Sequence, residues 1–398
     1  MIRRDEILLL CTGFLATLSS IGLARFAYTA LMPQLVLSGW FSGEQAAYLG
    51  AANLLGYLVG ALSAAPCAER LGTLRVLRGC LWAVALSFAA SSWPQSMAVF
   101  AWWRWVAGVA GAMLMVLGPS AAMAAAAPAR RALLGPLMFS GVGMGALFSA
   151  LIVPSLLHWG LSTVWLALAA TAALVALGGQ YAARHMPAPQ PIAITPQSPH
   201  GLPLAAPLWT LAVVLVMVAY MLDGFGFVPH TVFWVDYLRR ELALGNAYSA
   251  TQWAVFGLGA MVGPLAVAFC ATRWGWWRTI TGGYVIKACA IGLPLLWGSA
   301  LGHGLSGFAV GALSPGVAAI TSGYLMQLVG AARHKKMWGY ATAGFALLQA
   351  TAGYSMAWIY ASVGSYRPLF MLGCAALLVG TALVACSRLS TPAVANPS

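Results

Sequence analysis

Apolar runs of about 20 residues or more recur twelve times along the chain, separated by short stretches rich in arginine, glycine and proline. They cover approximately residues 7–37, 45–66, 75–93, 97–127, 133–157, 161–181, 207–234, 246–271, 278–298, 301–330, 337–360 and 367–387. A run of that length crosses a bilayer as a helix, because hydrocarbon offers no partner to backbone N–H and C=O groups. The pattern therefore predicts an all-α membrane protein of twelve transmembrane helices. The charged start Met1-Ile2-Arg3-Arg4 is like that of a signal peptide. Its apolar run continues for nearly 30 residues without a cleavage motif, which predicts an uncleaved first span.

A second period lies above the helical one. Arg70-Leu71-Gly72-Thr73-Leu74-Arg75 follows the second run, and Arg273-Trp274-Gly275-Trp276-Trp277-Arg278 follows the eighth, at an offset of 203 residues. At the same offset Gly56 and Gly60 fall on Gly259 and Gly263, and Arg130-Arg131 falls on Arg333-His334. Several topologically equivalent matches at one offset predict two six-helix pseudo-repeats in the same orientation. The proline-dense segment between runs six and seven predicts an extended linker. The expected division is a bundle over 1–184, a cytoplasmic linker over 185–206 and a second bundle over 207–398.

Composition agrees with a membrane class. The chain of 398 residues is 61% hydrophobic and 7% charged, too few charges to cover a water-exposed shell. A net charge of +13 points to nucleic acid in a soluble protein, but here the positive-inside rule accounts for it. With both termini cytoplasmic, 14 basic residues fall on the cytoplasmic side, three on the other and three inside spans. The expected location is the inner membrane, multi-pass. Seven scattered cysteines show no CxxC or metal spacing and read as free thiols. There is no phosphate-binding glycine loop, and the six histidines form no HExxH or i, i+4 pair. No cofactor, metal, nucleic-acid partner or enzymatic site is therefore expected.

Charges inside the spans carry the chemistry, since each is expensive in hydrocarbon and asks for a function or a partner. Arg25 lies about 18 residues into the first run, and Leu18, Gly22, Arg25 and Thr29 share one helical face. Gly22 on that face leaves room beside the guanidinium. Asp223 lies amid glycines and a proline that weaken the seventh helix midway. It reads either as a proton carrier or as the permanent ion-pair partner of Arg25; Arg25 reads either as a substrate ligand or as that structural partner. Arg104, less central in its run, reads as a snorkelling side chain, and Lys287 as a supporting or snorkelling lysine or, facing inward, as part of the site. Asn53, Gln252, Gln349, Trp253 and Tyr220 are candidates to line the cavity. His230 is a candidate proton relay near the outer mouth, or a helix cap.

These features resemble the major facilitator superfamily over nearly the whole chain. Glu69-Arg70-Leu71-Gly72 is similar to that superfamily's signature between helices two and three, departing from it at Glu69, Ala65 and Thr73. Arg104-Trp105-Val106-Ala107-Gly108 with Gly111 resembles its second signature in helix four. The segment from Gly22 to Pro33 is similar to the first helix of the YbfB/YjiJ-like branch. The resemblance implies a monomeric secondary transporter that alternates access, with Glu69, Arg70, Gly72, Arg75, Arg273, Gly275 and Arg278 in conformational-switch loops. It also implies Asp223 as the coupling-proton site and Arg104 in substrate binding or coupling. Three intramembrane cations against one carboxylate favour a small organic anion, such as a carboxylate. The other expectation is proton-driven efflux of amphipathic or aromatic compounds, for which abundant Trp, Phe and Met supply an adaptable wall.

Overall fold

The structure is a computed structural model and describes residues 4–187 and 209–389. The linker expected at 185–206 falls mostly outside the described residues. Twelve long helices make up the rest: α1 (Arg4–Leu37), α2 (Gly43–Leu71), α3 (Thr73–Ala90), α4 (Met97–Ala125), α5 (Pro128–Leu156) and α6 (Leu161–His185), then α7 (Leu211–Glu241), α8 (Asn246–Trp274), α9 (Trp276–Leu296), α10 (Ala300–Val329), α11 (Ala331–Val363) and α12 (Arg367–Ser387). Among the described residues, eleven helices are long and apolar enough to cross a membrane. The exception, α11, is 33 residues long but is diluted by Thr342, Gln349, Thr351 and Ser355; it packs in the bundle between α2 and α7.

Helix ends follow ordinary capping chemistry. Ser42 and Gln45 form a capping box at the start of α2, and Ser96, Thr210 and Ser299 accept from the third backbone N–H of α4, α7 and α10. The α2–α3 and α8–α9 connections each turn on one glycine, Gly72 at φ +86° and Gly275 at φ +83°, where a side chain would strain the backbone. Their equivalence at an offset of 203 is the loop motif read from the sequence.

The same offset governs helix packing. A side chain on Gly56, Gly60 or Gly108 would collide with the carbonyl of Trp105, Val109 or Asn53, respectively. One on Gly259, Gly263 or Gly311 would collide with the carbonyl of Phe308, Ala312 or Phe256, each partner again 203 residues on. Glycine thus brings α2 onto α4, and α8 onto α10, at backbone contact, as small residues do between helices in lipid. Likewise α3 packs on α6 as α9 packs on α12, while α5 meets α8 and α2 meets α11 between the two sets.

Two helices are irregular. α1 widens into π-helical turns over Leu18–Arg25, with Ser20 at ψ −109°, and α7 does so over Pro229–Phe233 and Tyr237–Glu241. The Ser20 hydroxyl donates to the Gly111 carbonyl of α4 at 2.5 Å, which takes up a backbone partner at the kink. Gly22 packs against the backbone of Gly141 and Gly145 on α5. The space expected beside Arg25 at Gly22 is therefore filled by a neighbouring helix. α7 also runs to Glu241, seven residues beyond the apolar run, because Asp236 and Arg240 pair within it and Arg239 donates to Asn246 at the start of α8 at 2.7 Å.

Candidate functional site

Arg25 stands where the wide turns of α1 return to regular helix, and it is 5% exposed. Its Nη2 donates to the Thr231 hydroxyl of α7 at 3.2 Å, and its guanidinium lies 5.2 Å from the centre of the Phe227 ring. Arg104 on α4 is 2% exposed, donates from Nη1 to the Ala24 carbonyl at 3.0 Å, and covers the Tyr28 ring at 4.2 Å. It does not snorkel. Its reach to Ala24 sets it beside Arg25, and Nε of each arginine has no hydrogen-bond partner among the described residues. Neither arginine pairs with a carboxylate among the described residues.

Asp223 is taken by another partner. Lys287 of α9, fully enclosed, donates from Nζ to Asp223 Oδ1 at 2.6 Å and to the Leu313 carbonyl of α10 at 3.3 Å. The expected Arg25–Asp223 bridge is corrected accordingly: α9 brings its ammonium into the bundle at this depth, where it takes the carboxylate. Lys287 faces inward rather than snorkelling. Asp223 Oδ2 is buried without a partner among the described residues, and Lys287 Nζ lies 4.9 Å from the centre of the same Phe227 ring that Arg25 approaches.

The other candidates divide. Asn53 donates to the Arg104 carbonyl at 3.0 Å and so ties α2 to α4 instead of facing a ligand. Tyr220 is stacked between Trp338 and Phe345 of α11, at 5.3 and 4.7 Å between ring centres. Gln349 is fully buried, and neither amide atom has a hydrogen-bond partner among the described residues. Gln252 points within the second set of helices, toward Ala300, and Trp253 donates to Ser149 of α5 at 3.1 Å, sealing the α5–α8 seam. His230 neither caps a helix nor sits at a mouth, because α7 continues past it. Its Nε2 meets the Ser306 hydroxyl at 2.7 Å; that hydroxyl donates to Ala290, which leaves Nε2 as the donor to Ser306. The loop residues Glu69, Arg70, Gly72, Arg75, Arg273, Gly275 and Arg278 lie together with the chain start at one end of the bundle, away from the charges.

Contacts that join the two sets of helices gather toward the opposite end. Thr29 donates to the Thr231 carbonyl at 2.5 Å, Gln34 donates to Asn246 at 3.1 Å, and Phe26 meets Trp253 and Phe256 edge-on. Beyond them lies a network that sequence reading missed. Arg240 forks onto buried Asp236 with two bonds of 2.6 Å and donates to Tyr360 at 2.7 Å; Tyr366 also donates to Asp236. Gly43 of α2 abuts this arginine. The i, i+4 spacing of Asp236 and Arg240 was the available signal, hidden because both fall past the apolar run.

Charged groups enclosed by helices whose outer surfaces suit lipid are the mark of a membrane transport protein. A family model makes that specific: the one described as uncharacterised MFS-type transporter YbfB matches residues 17–385, and the chain belongs to that family. No curated protein matches the chain.

Proposed function

We propose that the chain is a proton-coupled secondary transporter that moves a small organic anion across the inner membrane by alternating access. The carrying observation is that Arg25 and Arg104 are buried side by side with no carboxylate, while Asp223 is matched by Lys287. Three cations and one carboxylate leave two positive charges for a ligand to meet. An anionic group accepting from both guanidiniums supplies the charge-assisted bonds that such donors lack.

In this reading the halves 1–184 and 207–398 rock about the central charges, with both termini cytoplasmic and the chain acting as a monomer. The recurrence of the glycine contacts at 203 residues supports two equivalent halves. The clustering of inter-half contacts away from the chain start supports a conformer open toward the cytoplasm. Asp223 takes and releases the coupling proton. Its protonation frees Lys287, and through it the neighbouring Arg25 environment, rather than freeing Arg25 directly.

Export of amphipathic aromatic compounds is the second reading. It is favoured by the run of ring contacts from Trp338 through Tyr220 and Phe345, which are stacked, to Phe227, which is tilted against Phe345. Proteoliposome uptake under an imposed pH gradient separates the two. Accumulation of acetate, lactate, succinate or benzoate supports the anion reading, whereas movement of lipophilic cations alone replaces it with the second.

A further inference from the structure

Phe227 belongs to no charged motif, yet four contacts of the site converge on it. Its ring takes Arg25 of the first half at 5.2 Å and Lys287 of the second at 4.9 Å. Its N–H donates to the Asp223 carbonyl at 3.2 Å, where the regular part of α7 ends. Its own carbonyl accepts from the Thr231 hydroxyl at 3.2 Å, and that hydroxyl accepts in turn from Arg25. One residue therefore spans the distance between the unpaired guanidinium and the ion pair.

An aromatic face carries negative charge and attracts a cation most strongly where water is excluded. With Asp223 ionised, Lys287 is neutralised and the ring faces one uncompensated cation, Arg25. A proton added at Oδ2, the unpartnered oxygen, leaves Oδ1 with Lys287 but removes the negative charge. The ring then stands between two uncompensated cations. An anion on Arg25 relieves that repulsion, so each event favours the other, and by thermodynamic linkage the effect is reciprocal.

We propose that Phe227 is a positioning residue that couples the proton site to the anion site by holding Arg25 and Lys287 against one ring. This rests on the anion-transport reading above. Other groups around the pair are Tyr220 and His230 on α7 and Tyr284 on α9, while Tyr57 on α2 and Arg104 on α4 face Arg25. From the remaining neighbours, α10 offers the Leu313 carbonyl, α11 offers Phe345 and α12 offers Gly373 and Leu377, none of which carries charge.

The proton itself is the probe. The carboxyl stretch of Asp223, assigned by its loss in Asp223→Asn, is followed by infrared difference spectroscopy of the full chain in liposomes at fixed pH. Arg25→Gln removes a cation that disfavours protonation, so the protonated fraction rises by about fivefold or more. In the Phe227→Leu background the same change has under about twofold effect, and Phe227→Tyr restores it. Progressively fluorinated phenylalanines at 227, which keep shape while draining the ring face, lower the Arg25 effect step by step. An equal Arg25 effect in every background overturns the proposal. Because the titration needs no substrate, that result alongside intact anion uptake removes only the role of the ring. Ring-dependent coupling without any anion uptake instead removes the transport reading.

Discussion

Asp223 and Lys287 form an ion pair of 2.6 Å in which neither side chain meets solvent. They come from α7 and α9, 64 residues apart, and one carboxylate oxygen has no partner among the described residues. A pair so enclosed is held less by its own attraction, which desolvation largely offsets, than by the penalty for leaving either member alone.

That asymmetry predicts the outcome of truncation. Lys287→Met strands a carboxylate, and Asp223→Leu strands an ammonium; each is expected to destabilise by about 3–5 kcal/mol. The double variant is expected to regain most of the loss. Thermal unfolding of the detergent-purified single and double variants measures the cycle. Additive losses would show that the two groups do not depend on each other.

Arg25 differs, because it has no carboxylate to strand. Arg25→Gln is expected to leave the melting temperature nearly unchanged while weakening binding of a transported carboxylate by about 10- to 100-fold, the worth of one or two hydrogen bonds to a charged group. Equilibrium binding on the purified chain checks it. Unchanged affinity would make the arginine structural.

For Asp223→Asn the expected outcome is a split between exchange and accumulation. The amide cannot carry the proton, so a pH gradient no longer drives uphill uptake, while counterflow of the same anion down its own gradient persists. Proteoliposomes assayed in both modes give the comparison. Continued accumulation against a gradient would remove Asp223 from the coupling step.

Gly43 is expected to control closure of the end opposite the chain start. A Cβ there would lie 2.9 Å from Arg240 Nη2 and 3.0 Å from the Tyr360 hydroxyl. Gly43→Leu therefore disfavours the closed arrangement and raises labelling of Thr231→Cys by a membrane-impermeant maleimide. The same labelling in both backgrounds would mean that the arginine side chain yields without opening the halves.

The glycines of the helix pairs are less forgiving. Gly56→Val and its counterpart Gly259→Val each drive a side chain into a carbonyl of the facing helix. Overpacking of this kind costs about 1–3 kcal/mol or more, and the two are expected to lose similar amounts of folded protein, read by size-exclusion yield. A large loss at one site only would separate the two helix pairs.

Much of this protein was legible in one dimension. Run length fixes a spanning helix, because backbone groups in lipid have no partner outside their own segment; hence eleven apolar spanning helices at nearly the expected places among the described residues, with α11 the exception. The offset of 203 was visible because close helix approach demands glycine, and Gly56, Gly60, Gly259 and Gly263 are the residues that make it. Arg25, Arg104, Asp223 and Lys287 stood out because charge in an apolar run is expensive wherever it falls. Tertiary structure alone decided who meets whom. Asp223 belongs to Lys287 rather than Arg25, since the rotation of α9 about its axis, set by packing against α10 and α12, is not written in hydropathy. For the same reason Phe227, one phenylalanine of fifteen, acquires its place only when α1, α7 and α9 bring two cations to a single ring.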